Sequence, residues 1–390
     1  MTDIKNKVLY VANNITTPTR VSNRIIVDIA LHLSRYYDIA MVYPKEFVPF
    51  PVYKFKKYKY LHSLDKTWYN DGIPVTPIEY YRLPGFSLSF SLLRTAEHDV
   101  CRYVEQNGQP ALTHAHFVLP DGYFARILKR RYGIPYLVSI RETDVKYINK
   151  AFASGCHKSK FEEVLHDADR IIVHNVFQQD FIKSHFGVNS IVIPHAIDDN
   201  LLQYRELQPC RDEVVITVVS SMIKRKRLSW VIDAVKEYNG NKKIFLGIIG
   251  DGELRHELYS QAEGMDNVKF YGQLSHDKVV ELLTESDIFA LPSEGETFGL
   301  VYLEAAAVMN AVIAVEGTGV WGVFKEDEQA LFCHDYHSFK NMLHQLIDDD
   351  DKRMTMAVNA YNKVKEDLVW DKITEKYHEV YHEVIRNNPG

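Results

Sequence analysis

Short apolar, β-rich runs alternate with helical patterns from one end of this chain to the other, and the series starts twice. The first series reads KVLYVA (7–12), IAMVYP (39–44), LTHAHF (112–117), PYLVSI (135–140), RIIVHN (170–175) and SIVIPH (190–195). It restarts at VVITVVSSM (214–222) and continues through KIFLGIIGDG, VKFYGQL, SDIFALPS and AVIAVEG. Near-continuous apolar strands separated by helices predict parallel sheets covered on both faces. In SNRIIVDIALHLSRYY, Ile26, Ile29, Ala30 and Leu33 share a helical face, and Ser22 is the expected cap. At 390 residues the chain exceeds one core of about 100–200 residues. The expected fold class is therefore α/β, with two Rossmann-like, doubly wound parallel-sheet domains at 1–200 and 205–369. The polar segment DDNLLQYRELQPCRDE (198–213), with Pro209, interrupts both periodicities and marks the join. The last stretch, about 370–390, predicts an amphipathic helix with Trp370, Ile373, Tyr377 and Val380 on one side, and it is assigned to the first domain.

Composition narrows the partners. The chain is 46% hydrophobic and 25% charged, which is globular, and its 46 basic against 52 acidic residues argue against a nucleic-acid partner. MTDIKNKVLYVANN has no long apolar stretch behind a basic head, and no run of about 18 apolar residues follows, so a cytoplasmic protein is expected. Cys101, Cys156, Cys210 and Cys333 show no C-x-x-C spacing, so neither a zinc site nor a disulfide framework is expected. Residues 46–86 are rich in Pro, aromatic and Lys residues and lack clear periodicity, which predicts a functional or mobile insertion rather than core. Within them Lys54, Lys56, Lys57 and Lys59 alternate with Tyr53, Phe55, Tyr58 and Tyr60. That pattern suits an anionic membrane surface, at about 1 kcal/mol per cation. It equally suits an ordinary solvated loop.

The strongest chemical signal is SEGETFGLVYLEA (293–305), where Glu296 and Glu304 stand on either side of the bend TFG. SDIFALP before it reads as a buried strand and VYLEAAAVMN after it as a helix, so the motif lies at a strand's carboxyl end and opens a helix. Open α/β sheets bind ligands at such ends, and the free N–H groups of a helix amino terminus suit phosphate. Ionised carboxylates only accept hydrogen bonds, so their natural partners are hydroxyls such as a vicinal diol. In the same domain, SSMIKRKRLSWVIDAV places Lys224, Arg225, Lys226 and Arg227 after the first strand, where they can neutralise a diphosphate. Taken singly, Glu296 reads as a helix cap, Glu304 as a surface residue and the cations as a solvated turn. Taken together, they fit a ligand carrying both phosphate and hydroxyls, such as a sugar nucleotide.

These residues resemble a known signature. LPSEGETFGLVYLEA, through Pro292, Ser293, Glu296, Phe298, Gly299 and Glu304, resembles that of the retaining family 4 glycosyltransferases with the GT-B fold. IIGDGELRHEL with Gly250 and Gly252, THAHFVLPDGYFARILKRRYGIPYLVS and WDKITEKYHEVY are similar to that family too, and the likeness covers most of the chain from about residue 110. It implies two domains facing across a cleft. It also implies transfer of a hexose-type sugar from a nucleotide sugar, with UDP the default and GDP open, to a hydroxyl of a glycan or lipid-linked saccharide acceptor in cell-surface polysaccharide synthesis. Such an enzyme would work in the cytoplasm or at the inner face of the plasma membrane.

The resemblance also implies roles. Glu304 would bind the ribose diol and Lys226, assisted by Arg225, the diphosphate; Ser221 and Gly250 belong to the donor side. The amides from Phe298 through Gly299 to Leu300 would meet the donor sugar and distal phosphate. Glu296 would touch sugar hydroxyls near the reacting carbon, and His116 would reach the donor sugar from the first domain. No isolated D-x-D follows a strand end, so no divalent metal or other cofactor is expected, and Lys226, Arg225 and the helix dipole would meet the leaving-group charge. Departure of the nucleoside diphosphate with front-face attack is the implied mechanism, with double displacement through Glu296 its rival. Asn14, Arg20, Arg141 and Asp144 are candidates for the acceptor side, Arg141 and Asp144 equally for a structural ion pair.

Several positions depart from the family pattern. The first loop, NNITTPTRVSNR, has no glycine; Ser220 and Ser221 replace G-R; RETD stands for H-G-x-D; and Pro194, His195 and Ala196 stand for P-N-G. A UDP-sugar 2-epimerase of the same architecture and a non-catalytic regulator therefore stay open. A dehydrogenase is disfavoured, because VLYVANN is not followed by G-x-G-x-x-G.

Overall fold

In the computed structural model, which describes residues 5–22, 24–47, 64, 66–83, 89–206, 213–296 and 298–388, the described strands form two sheets. The chain divides into two units, one of residues 1–174, 178–193 and 374–390, the other of residues 175–177 and 194–373.

The first unit holds β1 (Lys7–Val11), β2 (Asp38–Phe47), β3 (Trp68–Asn70), β4 (Ile73–Tyr81), β5 (Leu112–Ala115), β6 (Tyr136–Ser139), β7 (Arg170–Val173) and β8 (Ile191–Val192). They lie in the order β3-β4-β2-β1-β5-β6-β7-β8, all neighbours parallel except β3 against β4. Every residue of β5 and β6 is buried, as expected of strands covered on both faces.

The second unit holds β9 (Glu213–Val219), β10 (Lys243–Ile249), β11 (Val268–Gly272), β12 (Ile288–Ala290), β13 (Ala311–Val315) and β14 (Leu331–Cys333). Its order is β11-β10-β9-β12-β13-β14 and all its pairs are parallel. The two parallel-sheet α/β units are those expected from the doubled series.

Three local expectations need correction. Ser22 does not cap the first helix, which runs Ile25–Leu33 without a side-chain cap; its hydroxyl donates to Asn14 Oδ1 at 2.7 Å instead. Part of the supposed insertion is regular structure, because β3 and β4 form a hairpin and β4 joins the sheet beside β2. Asp71 and Gly72 make the turn with φ of 48° and 86°, the paired positive values of a tight hairpin. The third concerns SIVIPH, of which only Ile191–Val192 is strand. The lysine-rich stretch 53–60 lies outside the described residues.

The terminal helix, Trp370–Asn387, buries Tyr377, Val380 and Tyr381. Within the first unit, Tyr381 Oη bonds Tyr10 Oη at 2.8 Å and His114 Nδ1, while His114 Nε2 bonds Ser139 Oγ at 2.8 Å. This buried polar chain ties the helix to β1, β5 and β6, with each group satisfied as burial requires. Among the described residues no helix is long and apolar enough to cross a membrane.

Candidate active site

In an open parallel sheet, ligands collect where successive connections leave a strand in opposite directions, outside the carboxyl ends. In the second unit that point lies between β9 and β12, since the chain goes from β9 to β10 on one side and later returns to β12 on the other. The loops leaving these two strands are the basic loop and the SEGETFG loop.

The turn after β10 braces the basic loop. Ser220 N donates to Ile249 O at 2.9 Å and Met222 N to Asp251 O at 2.9 Å. Gly250 has φ of 129°, and a Cβ there would lie 1.9 Å from Ser220 O; one at Gly252 would lie 2.6 Å from Met222 O. The G-D-G sequence is thus demanded by close backbone approach, and it carries the exposed Ser221 and the turn Lys224–Lys226 on a fixed base.

The two loops meet through their charges. Lys226 Nζ pairs with Glu296 Oε1, Arg225 Nη1 lies 3.5 Å from the same oxygen, and Ser293 Oγ donates to it at 3.2 Å. Lys226 and Glu296 side chains are only 11% and 12% exposed, so the pair is largely desolvated and each ion depends on the other. Glu294 N donates to Arg225 O at 2.8 Å, while Arg227 pairs with Glu294 at 2.8 Å and covers the Trp230 ring at 4.5 Å. Behind Glu296, its carbonyl accepts from Gly319 N at 3.0 Å, and Gly319 O accepts from Asn175 Nδ2 at 3.0 Å.

Phe298 turns its ring into the core, edge-on to His195 at 4.9 Å, which leaves its backbone at the bend. Gly299 follows with φ of 78°, and a Cβ there would strike the Tyr302 ring at 2.6 Å. The helix Leu300–Ala307 begins at once, and one turn along it Glu304 meets His276 Nε2 at 3.2 Å, its side chain 15% exposed. The structure therefore gathers Arg225, Lys226, Ser293 and Glu296 at the mouth of the β9/β12 crevice, with Gly299, Leu300 and Glu304 on the helix that leaves it. His276, the first residue of the helix after β11, was missed; its signal is a polar side chain just past the carboxyl end of a parallel strand.

In the first unit the corresponding crevice lies between β1 and β5. His116, just past β5, donates its N–H to Val11 O at 3.0 Å, and its ring packs on Tyr10 and His114 with centroids 4.6 and 4.1 Å away. Arg141 Nη2 reaches His116 Nδ1 at 3.3 Å. Asp144 accepts from Arg141 N at 2.8 Å and Val118 N at 2.9 Å, so the RETD sequence starts the helix Glu142–Ser154 and ties it to the loop after β5. Burial pushes the Asp144 carboxyl up to about 7 and holds Asp121 well above the carboxylate range. Burial likewise lowers His114 to about 3 and, with His114, Arg141 and His174 nearby, holds His116 well below its usual value.

Of the four acceptor-side candidates, Asn14 and Asp144 line a cavity of about 120 Å³ with Phe117, Leu119 and Thr143. Arg20 is exposed on the glycine-free loop, where it bridges Thr17, and Arg141 is buried against His116. Asp121 Oδ2, accepting from Asn13 N at 3.2 Å, supports that loop from below and was missed by sequence reading.

Comparison with known proteins gives this geometry a family. Residues 204–363 match the family described as Glycosyl transferases group 1, and residues 24–201 match Glycosyltransferase Family 4. The putative teichuronic acid biosynthesis glycosyltransferase TuaC of Bacillus subtilis is 25% identical over 75% of this chain and 76% of its own length. The N-acetyl-alpha-D-glucosaminyl L-malate synthase of Bacillus anthracis is 23% identical over 73% of this chain and 78% of its own. Sucrose-phosphate synthase from Thermosynechococcus elongatus superposes with a TM-score of 0.73 at 17% identity, covering 98% of this chain and 100% of that one. Anabaena HepE in complex with UDP and glucose superposes at 0.63 and 17% identity, covering 97% and 100%. With its two halves matched by the two family descriptions and its fold by solved members, the chain belongs to the group 1 glycosyltransferases of the GT-B type.

Proposed function

We propose that this protein is a retaining hexosyltransferase that takes a sugar from a UDP-linked donor and places it on a hydroxyl of a glycan or lipid-linked saccharide during cell-surface polysaccharide synthesis. The observation that carries this reading is the convergence of Lys226 and Arg225 on Glu296 at the β9/β12 crevice, with Glu304 one turn along the helix that opens there. A diphosphate entering there offers two charges to cations that now share one carboxylate oxygen, and it can displace that oxygen from them. Glu296, released, then accepts from hydroxyls of the transferred sugar, and Glu304 accepts from the ribose diol. Lys226, Arg225 and the amides opening the helix Leu300–Ala307 would stabilise the leaving diphosphate without a metal. The acceptor hydroxyl would attack from the face the diphosphate leaves, retaining the anomeric configuration. The UDP complex of HepE and the teichuronic role named for TuaC support the donor and the polymer class. An inner-membrane-face location fits a lipid-linked acceptor.

The test is a thermal-shift screen against UDP-, GDP- and TDP-glucose, followed by UDP release in the presence of candidate acceptors, with and without EDTA. We expect the UDP compound to raise Tm most, release to require an acceptor, EDTA to leave it unchanged, and NMR of the product to show an α linkage. Acceptor-independent formation of free sugar would identify an epimerase or hydrolase instead.

A further inference from the structure

The environment of His116 fixes which of its nitrogens carries the proton. A guanidinium has only donors, so the Arg141 Nη2 contact at 3.3 Å requires a lone pair on Nδ1. The ring is fully buried and packs at a tilt on His114 and Tyr10 beside the Arg141 cation, and burial, with His114, Arg141 and His174 around it, keeps it neutral. A neutral ring with its lone pair on Nδ1 carries its proton on Nε2. Turning the ring over would set a C–H against the guanidinium and lose the bond. Nε2 is buried and has no partner among the described residues. A buried N–H left unpaired costs about 1–3 kcal/mol, and in a crevice at the carboxyl ends of β1 and β5 it calls for an incoming acceptor atom.

We propose that Arg141 is a positioning residue that locks His116 as the neutral Nε2–H tautomer, so that the histidine gives a hydrogen bond to a sugar oxygen and cannot serve as a base. The backbone explains how the lock is held. Asp144 grips the N–H of both Arg141 and Val118, which joins the loop after β6 to the loop after β5 and sets the guanidinium against the ring. The arginine in RETD is thus coupled to the histidine of HAH. The sugar-oxygen half of this proposal rests on the glycosyltransferase reading; the tautomer half does not.

The experiment uses the full chain with ¹⁵N-labelled histidine. Long-range ¹H–¹⁵N spectra at pH 7, assigned with His116→Gln, should show His116 protonated at Nε2 and bare at Nδ1. Arg141→Met, which keeps the unbranched apolar stem but has no donor, should give a mixed or reversed tautomer. It should also lower kcat for UDP release at least tenfold, with KM for the nucleotide sugar changed less than threefold. Arg141→Lys, which restores a cationic donor, should recover the Nε2–H tautomer and most of kcat. His116→Gln, whose amide N–H replaces Nε2–H, should retain more activity than His116→Asn, whose amide replaces Nδ1.

A wild-type proton on Nδ1, or an unchanged tautomer in Arg141→Met, overturns the lock, and the wild-type spectrum decides the first point even if Arg141→Met does not fold. A changed tautomer with unchanged kcat overturns the functional half. Absence of transfer with every donor and acceptor, alongside the expected spectra, would instead refute the glycosyltransferase reading.

Discussion

Glu296 and Glu304 are the same residue type, eight positions apart, and their surroundings separate the tasks proposed for them. The Glu304 side chain lies 15% exposed on a helix with His276 at one oxygen, and its other oxygen is the one proposed to accept from a ribose hydroxyl. Replacing it with alanine should weaken UDP by roughly 10- to 100-fold, the loss of about 1.5–3 kcal/mol for hydrogen bonds to a charged group. Glu296 instead holds both Lys226 and Arg225 while no diphosphate is present. Glu296→Gln removes that competitor, so UDP should bind at least as tightly as before while turnover falls by roughly 100-fold or more. Calorimetry with UDP and initial rates of UDP release separate the two variants; a Glu296→Gln protein that loses UDP affinity and keeps its turnover would reverse the assignment. Lys226→Ala should weaken UDP more than Arg225→Ala does, because the Lys226 side chain is 11% exposed and that of Arg225 43%, and screening by water discounts the outer charge. The acids and cations were legible in the sequence from residue type and place. Their mutual pairing was not, since nothing in two segments seventy residues apart shows that one oxygen takes both cations.

At the scale of elements, the glycines of the second unit divide by what surrounds them. Gly250 combines φ of 129° with a Cβ position 1.9 Å from Ser220 O, whereas Gly264, with φ of 80°, has open space around its Cβ. Gly250→Ala therefore adds backbone collision to backbone strain and should cost about 2–4 kcal/mol, against about 1 kcal/mol for Gly264→Ala. Differential scanning calorimetry should show the first lowering Tm by several degrees more than the second, at roughly 2–4 °C per kcal/mol for a body of this size. Equal shifts would mean that the turn after β10 does not brace the basic loop. The parallel strands were readable because they are apolar throughout, as β5, β6 and β13 show. β4 was obscured by Pro74 and Pro77, which a strand reading penalises, although Asn70-Asp71-Gly72 carried a clear hairpin signal. Ser22 misled for a related reason: its hydroxyl had a competing partner in Asn14, eight residues back, that propensity does not weigh.

At the scale of the whole molecule, the first unit carries a concentration of buried ionisable groups whose effects on stability oppose one another. Burial lowers His114 to about 3 from an ordinary 6.5, and takes His116 and His174 well below 6.5. It raises Asp144 to about 7 from 3.8, and Asp121 well above 3.8. A histidine with a depressed folded pKa stabilises the fold above pH 6.5 and loses that contribution as pH falls, because the unfolded chain takes a proton the folded one refuses. A carboxyl with a raised folded pKa behaves oppositely: its contribution is complete at low pH and is lost as pH rises through the folded value, about 7 for Asp144. From pH 8 down to 6.5 the histidines are neutral in both states while Asp144 takes up its proton near 7, so acidification adds stability. Below 6.5 the unfolded chain takes protons that the three buried histidines refuse, and with three depressed histidines set against two raised acids stability should fall as the pH drops toward 5. The first unit should therefore be most stable near pH 6.5. Hydrogen exchange of the β5 and β6 amides between pH 5 and 8, corrected for intrinsic rates, reads this directly. Protection that climbs steadily from pH 6.5 to 5 would show that the acids, not the histidines, govern the buried cluster.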